Sequence, residues 1–512
     1  MLVKTFGSAL QGINATIITV EINMETGIQF FMVGLPDTTV KESHFRIESA
    51  LRNNGYRIPG RKIIVNLSPA DIRKEGTAYD LTIAIGILGA NQQIPADVLR
   101  NYVIMGELSL DGGLQPIKGA LSIAIEARRQ GFKGFILPKQ NAREAAIVND
   151  LDVYGMDDIS QVIDFLTGKI TAEPIVVNTR EEFYTNQGNY DFDFSDVKGQ
   201  ENIKRALEIS AAGGHNCLMI GPPGSGKSML AKRIPSILPP LNLYEALETT
   251  KIHSVAGKMN KNSSLITERP FRNPHHTISS SALLGGGSIP NPGEISLAHN
   301  GVLFLDELPE FNRSVIEVLR QPMEDRFVTI ARAKMTVEFP ANFMLIAAMN
   351  PCPCGFYNHP DKPCVCKPGD VQRYLNKISG PLLDRIDIHV EVTPVPFARL
   401  AETKSSENSY IIRERVLKAR LIQENRYKEL QNIHSNSQLS SKYLLKYCTL
   451  DVNCLALLKK AMDKLNLSAR AYDRILKVSR TIADLDSKEN ICPEHIAEAI
   501  QYRSLDRENW GY

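Results

Sequence analysis

The chain has 512 residues, 43% of them hydrophobic and 23% charged, the balance of a globular protein rather than a disordered one. Its length exceeds a single core and is expected to divide into about three domains. The 59 basic and 57 acidic residues leave a net charge of only +2, which excludes polyanion binding by overall charge; such a partner needs a local basic surface.

No apolar run reaches the roughly 20 residues of a membrane helix. Met1-Leu2-Val3-Lys4-Thr5-Phe6 lacks the long apolar region of a signal peptide, so a cytoplasmic location with no membrane partner is expected. In the first unit, residues 1–168, Ile17–Ile22 alternates like a strand and Phe30–Val33 reads as another. Val40–Asn54 has helical spacing and stops at Gly55. Ile63–Leu67 reads as a short buried strand, and Asp71–Ala90 as a loop leading into an apolar helix. Asp111-Gly112-Gly113 signals a hairpin, and Ala120–Gln130 is helical up to Gly131. Such alternation defines an α/β or α+β domain.

Val33-Gly34-Leu35-Pro36-Asp37, Val65–Asp71 and Lys74-Glu75-Gly76 resemble the N-terminal domain of the ComM/YifB family of magnesium-chelatase-like ATPases. The resemblance implies an α+β, ribosomal S5-like fold similar to the proteolytic domain of Lon protease. Lon-type catalysis pairs a serine nucleophile with a lysine, but the matching positions here hold Ala78 and Leu121. A one-residue shift offers Thr77 or Lys118 instead. Without a nucleophile and base no acyl-enzyme forms, so the domain is read as a structural or partner-binding module and not as a protease.

Residues 169–190 are polar and mixed, and read as a linker. A central module is expected over 191–400. Its entry, Phe194–Gln200 followed by a helix through Ala211, looks like that of an AAA+ module, which implies Val197 and Gly199 as adenine neighbours. The apolar run Cys217–Ile220 then leads into Gly221-Pro222-Pro223-Gly224-Ser225-Gly226-Lys227-Ser228, with a helix starting near Met229. This is the strand–loop–helix context of a P-loop. Its glycines let backbone N–H groups close around a polyphosphate, Lys227 is expected on the β- and γ-phosphates, and the Ser228 hydroxyl on Mg²⁺. ATP and Mg²⁺ are the expected cofactors.

Arg269–Thr277 with Leu284–Gly287 resembles a ComM/YifB signature, and its pair His275-His276 is read as buried structural histidines. Gly301–Leu308 is a buried parallel strand delivering two carboxylates at its C-terminal end. Asp306 is expected to hold Mg²⁺ through water, and Glu307 to deprotonate the attacking water. Arg326–Phe339 reads as a hairpin with Arg332 and Lys334 at its tip, a candidate contact to DNA phosphates. The strand Phe343–Met349 ends in Asn350, which the AAA+ resemblance places beside the γ-phosphate. Cys352-Pro353-Cys354 and Cys364-Val365-Cys366 can wrap four thiolates around one Zn²⁺.

Ser379–Asp387 resembles an arginine-finger segment, implying that Arg385 reaches a neighbouring subunit's γ-phosphate; an intramolecular pair with Asp384 or Asp387 is the alternative. Residues 401–512 are read as a helical lid, with Ser468 an N-cap and Pro493 at a helix start. The lid resemblance makes Arg470 the sensor arginine, with Arg474 one turn on as runner-up. The whole reads as an α/β P-loop NTPase core with a helical lid behind an α+β domain. The family resemblance implies a homo-hexameric motor on single-stranded or branched DNA, a branch-migration helicase of recombination or natural transformation. A chelatase-type remodeller of protein or metal-insertion complexes is the alternative.

Overall fold

The computed structural model describes residues 2–58, 60–185, 188, 190–259, 264–287, 290–332, 335–357, 359, 361–395, 406–430 and 433–503. Among them, the N-terminal sheet is built from β1 (Leu2–Gln11), β2 (Asn14–Glu25), β3 (Phe30–Val33), β4 (Lys62–Ser68) and β5 (Tyr102–Ile104). A small hairpin follows, β6 (Glu107–Leu108) and β7 (Leu114–Gln115), turning where the Asp-Gly-Gly signal puts it. Strands β8 (Gly134–Pro138) and β9 (Asp152–Met156) complete a sheet of order β3-β4-β2-β1-β5-β8-β9. The helix Asp80–Ala90 is buried along its whole length, as its uninterrupted apolar sequence dictates. Asp80, the one charge inside it, is met by Arg46, whose Nε and Nη2 lie 2.6 and 2.9 Å from the two carboxylate oxygens.

The segment read as a linker is not free chain. It carries the helix Thr179–Thr185, and Val177 and Phe183 are buried in the N-terminal core. Val177 and Phe183, with Ala172 and Ile175 packed beside them, dock it. The central module touches the same domain through the helix Leu243–Val255, which packs on Ala120–Arg129.

The central sheet contains β10 (Cys217–Ile220) and β11 (Phe271–Arg272). A hairpin, β12 (Gly285–Gly286) with β13 (Asn291–Pro292), precedes β14 (Val302–Leu305). A second hairpin, β15 (Phe327–Arg332) with β16 (Met335–Pro340), precedes β17 (Met344–Met349), and β18 (Ile388–Glu391) closes the set. The order β11-β14-β17-β10-β18 is parallel throughout. Such strands are buried on both faces. Cys217, Met219, Phe304 and Ile346 face a core shared with the lid helices Ser409–Tyr427 and Ala469–Leu485. Leu218, Ile220, Leu303 and Leu345 face the opposite core, with the β15/β16 hairpin and Leu382. Parallel strands leave two unlike edges, and both carry the chemistry below.

Candidate functional site at two edges of one sheet

The C-terminal edge gathers the P-loop and the residues that follow β14 and β17. Gly226 has φ 89° and caps the helix that begins at Lys227, a left-handed conformation that glycine adopts without cost. It turns the Lys227 side chain inward, where Nζ donates to the carbonyls of Gly221 (2.7 Å) and Pro222 (2.9 Å) and to Asn350 Oδ1 (3.2 Å). Burial pushes the Lys227 ammonium below its ordinary value, while Asp306 and Glu307 oppose the shift. The Ser228 hydroxyl donates to Asp306 Oδ2 at 2.5 Å. A hydroxyl and a carboxylate already in contact at the foot of the P-loop are the oxygen donors a Mg²⁺ site requires, so these residues fit the ion.

Glu307 takes φ 52° and ψ 47°. A left-handed conformation at a residue with a side chain costs about 1–3 kcal/mol and collects at functional positions. Here it turns the carboxylate out of the strand line into solvent, where it is 57% exposed and 3.5 Å from His276 Nδ1. His276 also stacks on His275 with ring centroids 4.1 Å apart and meets the edge of Phe311. The two histidines are therefore not buried: His275 is exposed and His276 half-buried. They follow β11 at the same edge as the P-loop, a position the local sequence does not disclose. Arg269 and Arg272 of that signature are structural: Arg269 bonds the carbonyls of Pro239 and Asn300, and Arg272 pairs bidentately with Glu294.

A cleft of about 510 Å³ opens over the P-loop. Pro222–Gly226 and Met229 form its floor; Val197, Lys198 and Gln200 form one wall, and Phe356, His359, Asp361 and Lys362 another. Val197 is thus on the cleft, whereas Gly199 packs toward Val395. Gln200, which sequence reasoning passed over, ties the entry segment to the P-loop by donating to the Ser225 carbonyl at 2.7 Å.

The opposite edge belongs to the arginines. Asn216, one residue before β10, donates to the Arg385 carbonyl at 3.2 Å. The P-loop begins at the other end of this four-residue strand, roughly 13 Å away at 3.3 Å per residue. Arg385 is 12% exposed, bonds the Pro381 carbonyl, and pairs with Glu324 at 2.8 Å rather than with Asp384 or Asp387. Asp384 instead receives Arg470 at 3.1 Å, and Asp387 receives Arg474 at 3.0 Å and His215 Nδ1 at 3.1 Å. His215 Nε2 reaches Thr481 of the lid at 2.7 Å. Burial would raise Asp387, but Arg474 and His215 hold its carboxyl well below the usual carboxylate range. Arg385 and Arg474 also line a cavity of about 580 Å³ with Arg269, Arg326 and Arg420. The structure therefore brings Lys227, Ser228, Asp306, Glu307 and Asn350 together, and holds Arg385 and Arg470 apart from them.

Arg332 is exposed at the end of β15, with Nε 3.3 Å from the Gly287 carbonyl; Lys334 lies outside the described residues. The four cysteine sulfurs all lie within 4.8 Å of one another, a donor set that fits Zn²⁺. In the N-terminal domain Leu121 is buried with its N–H on Glu144, and Ala78 packs on the core. Thr77 donates to Glu107, and the Lys118 stem lies against Gly257 of the central module. None of the four makes a nucleophile–lysine pair.

Three family models match the chain: "Magnesium chelatase, subunit ChlI" over residues 193–400, "Subunit ChlI of Mg-chelatase" over 20–141, and "Magnesium chelatase, subunit ChlI C-terminal" over 406–503. The competence protein ComM of Haemophilus influenzae is 44% identical over 505 residues, spanning 98% of this chain and 97% of its own. An uncharacterized protein YifB of Escherichia coli is 44% identical over 506 residues, 98% of this chain and 96% of its own. The magnesium-chelatase subunit ChlI of Euglena gracilis is 20% identical over 337 residues, 60% of this chain and 88% of its own. Among the described residues, no helix is long and apolar enough to cross a membrane.

Proposed function

Since the chain belongs to the ComM/YifB family of magnesium-chelatase-like AAA+ proteins, we propose that it is an ATP-hydrolysing motor, a homo-hexameric ring in the cytoplasm acting on single-stranded or branched DNA. One observation carries the reading. A single sheet has Lys227, Ser228, Asp306 and Glu307 at one edge and Arg385 and Arg470 at the other, which supports a site completed between subunits.

Within the cleft, Lys227 exchanges its carbonyl acceptors for phosphate oxygens, and Asn350, already bonded to it, holds the lysine in line. Ser228 and Asp306 would hold Mg²⁺, which when bound with the triphosphate would neutralise charge on the transferred phosphoryl group. Glu307, turned outward by its backbone, accepts the proton of the attacking water. Arg385, with Arg470 beside it through Asp384, is presented to the triphosphate of an adjacent subunit and stabilises charge there.

The DNA substrate rests on the family resemblance, on the relative named competence protein, and on the basic residues Arg332, at the end of β15, and Lys334. Two positive groups per subunit contact phosphates without reading sequence, so affinity falls steeply with salt. The models named magnesium chelatase over 193–400 and 406–503 favour a second reading, a remodeller of protein or metal-insertion complexes. The deciding experiment is ATP turnover by the purified chain with single-stranded, duplex and branched DNA at low salt. Stimulation that disappears on raising salt, and in Arg332→Ala with Lys334→Ala, is expected. ATP turnover indifferent to every DNA, with no DNA bound at low salt, refutes the DNA motor and leaves the remodeller.

A further inference from the structure

The cysteine loop is built onto the nucleotide cleft. It starts directly at Asn350, which bonds Lys227. Gly355 has φ 84°, and a Cβ there would come within 2.5 Å of Pro223 Cδ in the P-loop. Glycine is required at that position twice over, by its backbone and by the proximity of the P-loop. Beyond Gly355, Phe356, His359, Asp361 and Lys362 face the cleft across from Val197 and Gln200. These groups brace one another: His359 meets the Phe356 ring edge-on at 5.6 Å, and the Lys362 ammonium lies 5.0 Å from the ring centre.

An apolar core does not hold this wall in place. Among the described residues between Met349 and Val371, Pro351 and Cys352 are the buried apolar side chains. The sulfurs converge instead: Cys352–Cys354 3.3 Å, Cys354–Cys364 3.5 Å and Cys352–Cys364 3.7 Å, with Cys366 in the same group. Zn–S bonds of about 2.3 Å in a tetrahedron place sulfurs about 3.8 Å apart, close to what is seen here. The Tyr357 N–H, 3.3 Å from Cys352 Sγ, supplies the outer hydrogen bond that metal thiolates take up.

We propose that the four cysteines hold one Zn²⁺ whose task is to fix Phe356, His359, Asp361 and Lys362 as a wall of the ATP cleft, so that metal occupancy sets nucleotide affinity. The proposal rests on reading the cleft as the ATP site. The ion forms no bond to nucleotide. It folds the loop, and the loop's aromatic and basic side chains close the cleft over the P-loop. Removing it releases the wall and leaves the floor, Pro222–Gly226 and Met229, in place.

The test uses the full-length chain purified under reducing conditions. Metal analysis is expected to give about one zinc per chain, as a four-thiolate structural site requires, and Cys364→Ala with Cys366→Ala is expected to lose it. Titration with a fluorescent ATP analogue is expected to show about ten-fold weaker binding in that double variant, a loss of the size of one good contact set. Chelator treatment of the unmodified chain gives the same weakening, reversed by adding zinc back, which guards against a variant that merely misfolds. Phe356→Ala keeps the zinc and weakens binding, separating the wall from the metal. Cys492→Ala, outside the cluster, changes neither. A chain that binds the analogue tightly with no zinc, or whose affinity is unmoved when zinc is stripped, overturns the proposal. If the unmodified chain binds no ATP analogue, as Lys227→Ala is expected not to, the reading of the cleft falls first, whatever the zinc content.

Discussion

The two edges of the central sheet are made from the same strands and behave oppositely. At the C-terminal edge the polar groups are short of permanent partners. Lys227 leans on P-loop carbonyls, Ser228 on Asp306, and Glu307 stands out in solvent near a half-buried histidine. At the N-terminal edge Asp387 is paired with Arg474 and His215, the latter tied to Thr481, Asp384 with Arg470, and Glu324 with Arg385. The first edge has groups waiting for a substrate; the second has groups held rigidly in place. A loosely tied lysine can move to phosphate, while an arginine fixed by its carboxylate partner is preorganised.

The sharpest way to break this comparison is to remove Arg385. If it serves a neighbour, Arg385→Ala lowers ATP turnover by about 10³-fold or more while its own cleft still binds nucleotide, and mixing it with Lys227→Ala chains restores part of the rate. No recovery in the mixture places the arginine's effect within its own chain. Next comes Glu307→Gln, expected to lose about 10²–10⁴-fold in turnover, to keep ATP binding, and to leave unfolding stability within about 0.5 kcal/mol, as for other exposed positions. Phosphate release and denaturant unfolding on the same preparation separate the two.

The matched edge is expected to fail the other way. Asp387→Ala strands Arg474 and His215 in the interior and costs about 3–5 kcal/mol of stability, read from the denaturant midpoint. The smallest effect is in pH. His215 and His389 are buried, and burial depresses both below the ordinary 6.5. A depressed folded value means that stability is fully present above about pH 6.5 and is lost as pH falls below it, since the unfolded chain takes up the protons. Each contributes up to about 1.4 kcal/mol per pH unit. Asp387, also depressed, stays ionised through this window and does not offset the loss. A melting temperature flat between pH 7 and pH 5 contradicts the buried neutral histidines.

What could be read from the sequence was whatever is local. Lys227 and Ser228 announce themselves by spacing within one loop, and Asp306 by its place after four apolar residues. Asn350 and the cysteines were legible for the same reason. What escaped depends on which elements meet. His276 lies thirty-one positions from Glu307 in the chain and meets it only because β11 and β14 are neighbours. Arg470 and Arg474 were recognisable on their helix, but no pattern on that helix says which side of the sheet it covers. The linker reading missed this docking because Ala172, Ile175, Val177 and Phe183, which pack on the N-terminal core, lie scattered among polar residues.

The lid's attachment carries a last consequence. Ile412, Val416, Ile475 and Ile482 of the lid share one core with Cys217, Met219, Phe304 and Ile346 of the sheet, and Gln423 bonds the Ala212 carbonyl at 3.1 Å. A seam of that kind is a weld rather than a hinge. Swinging the helices away from the sheet would expose a continuous apolar surface to water, so opening along this seam costs the burial of a shared core.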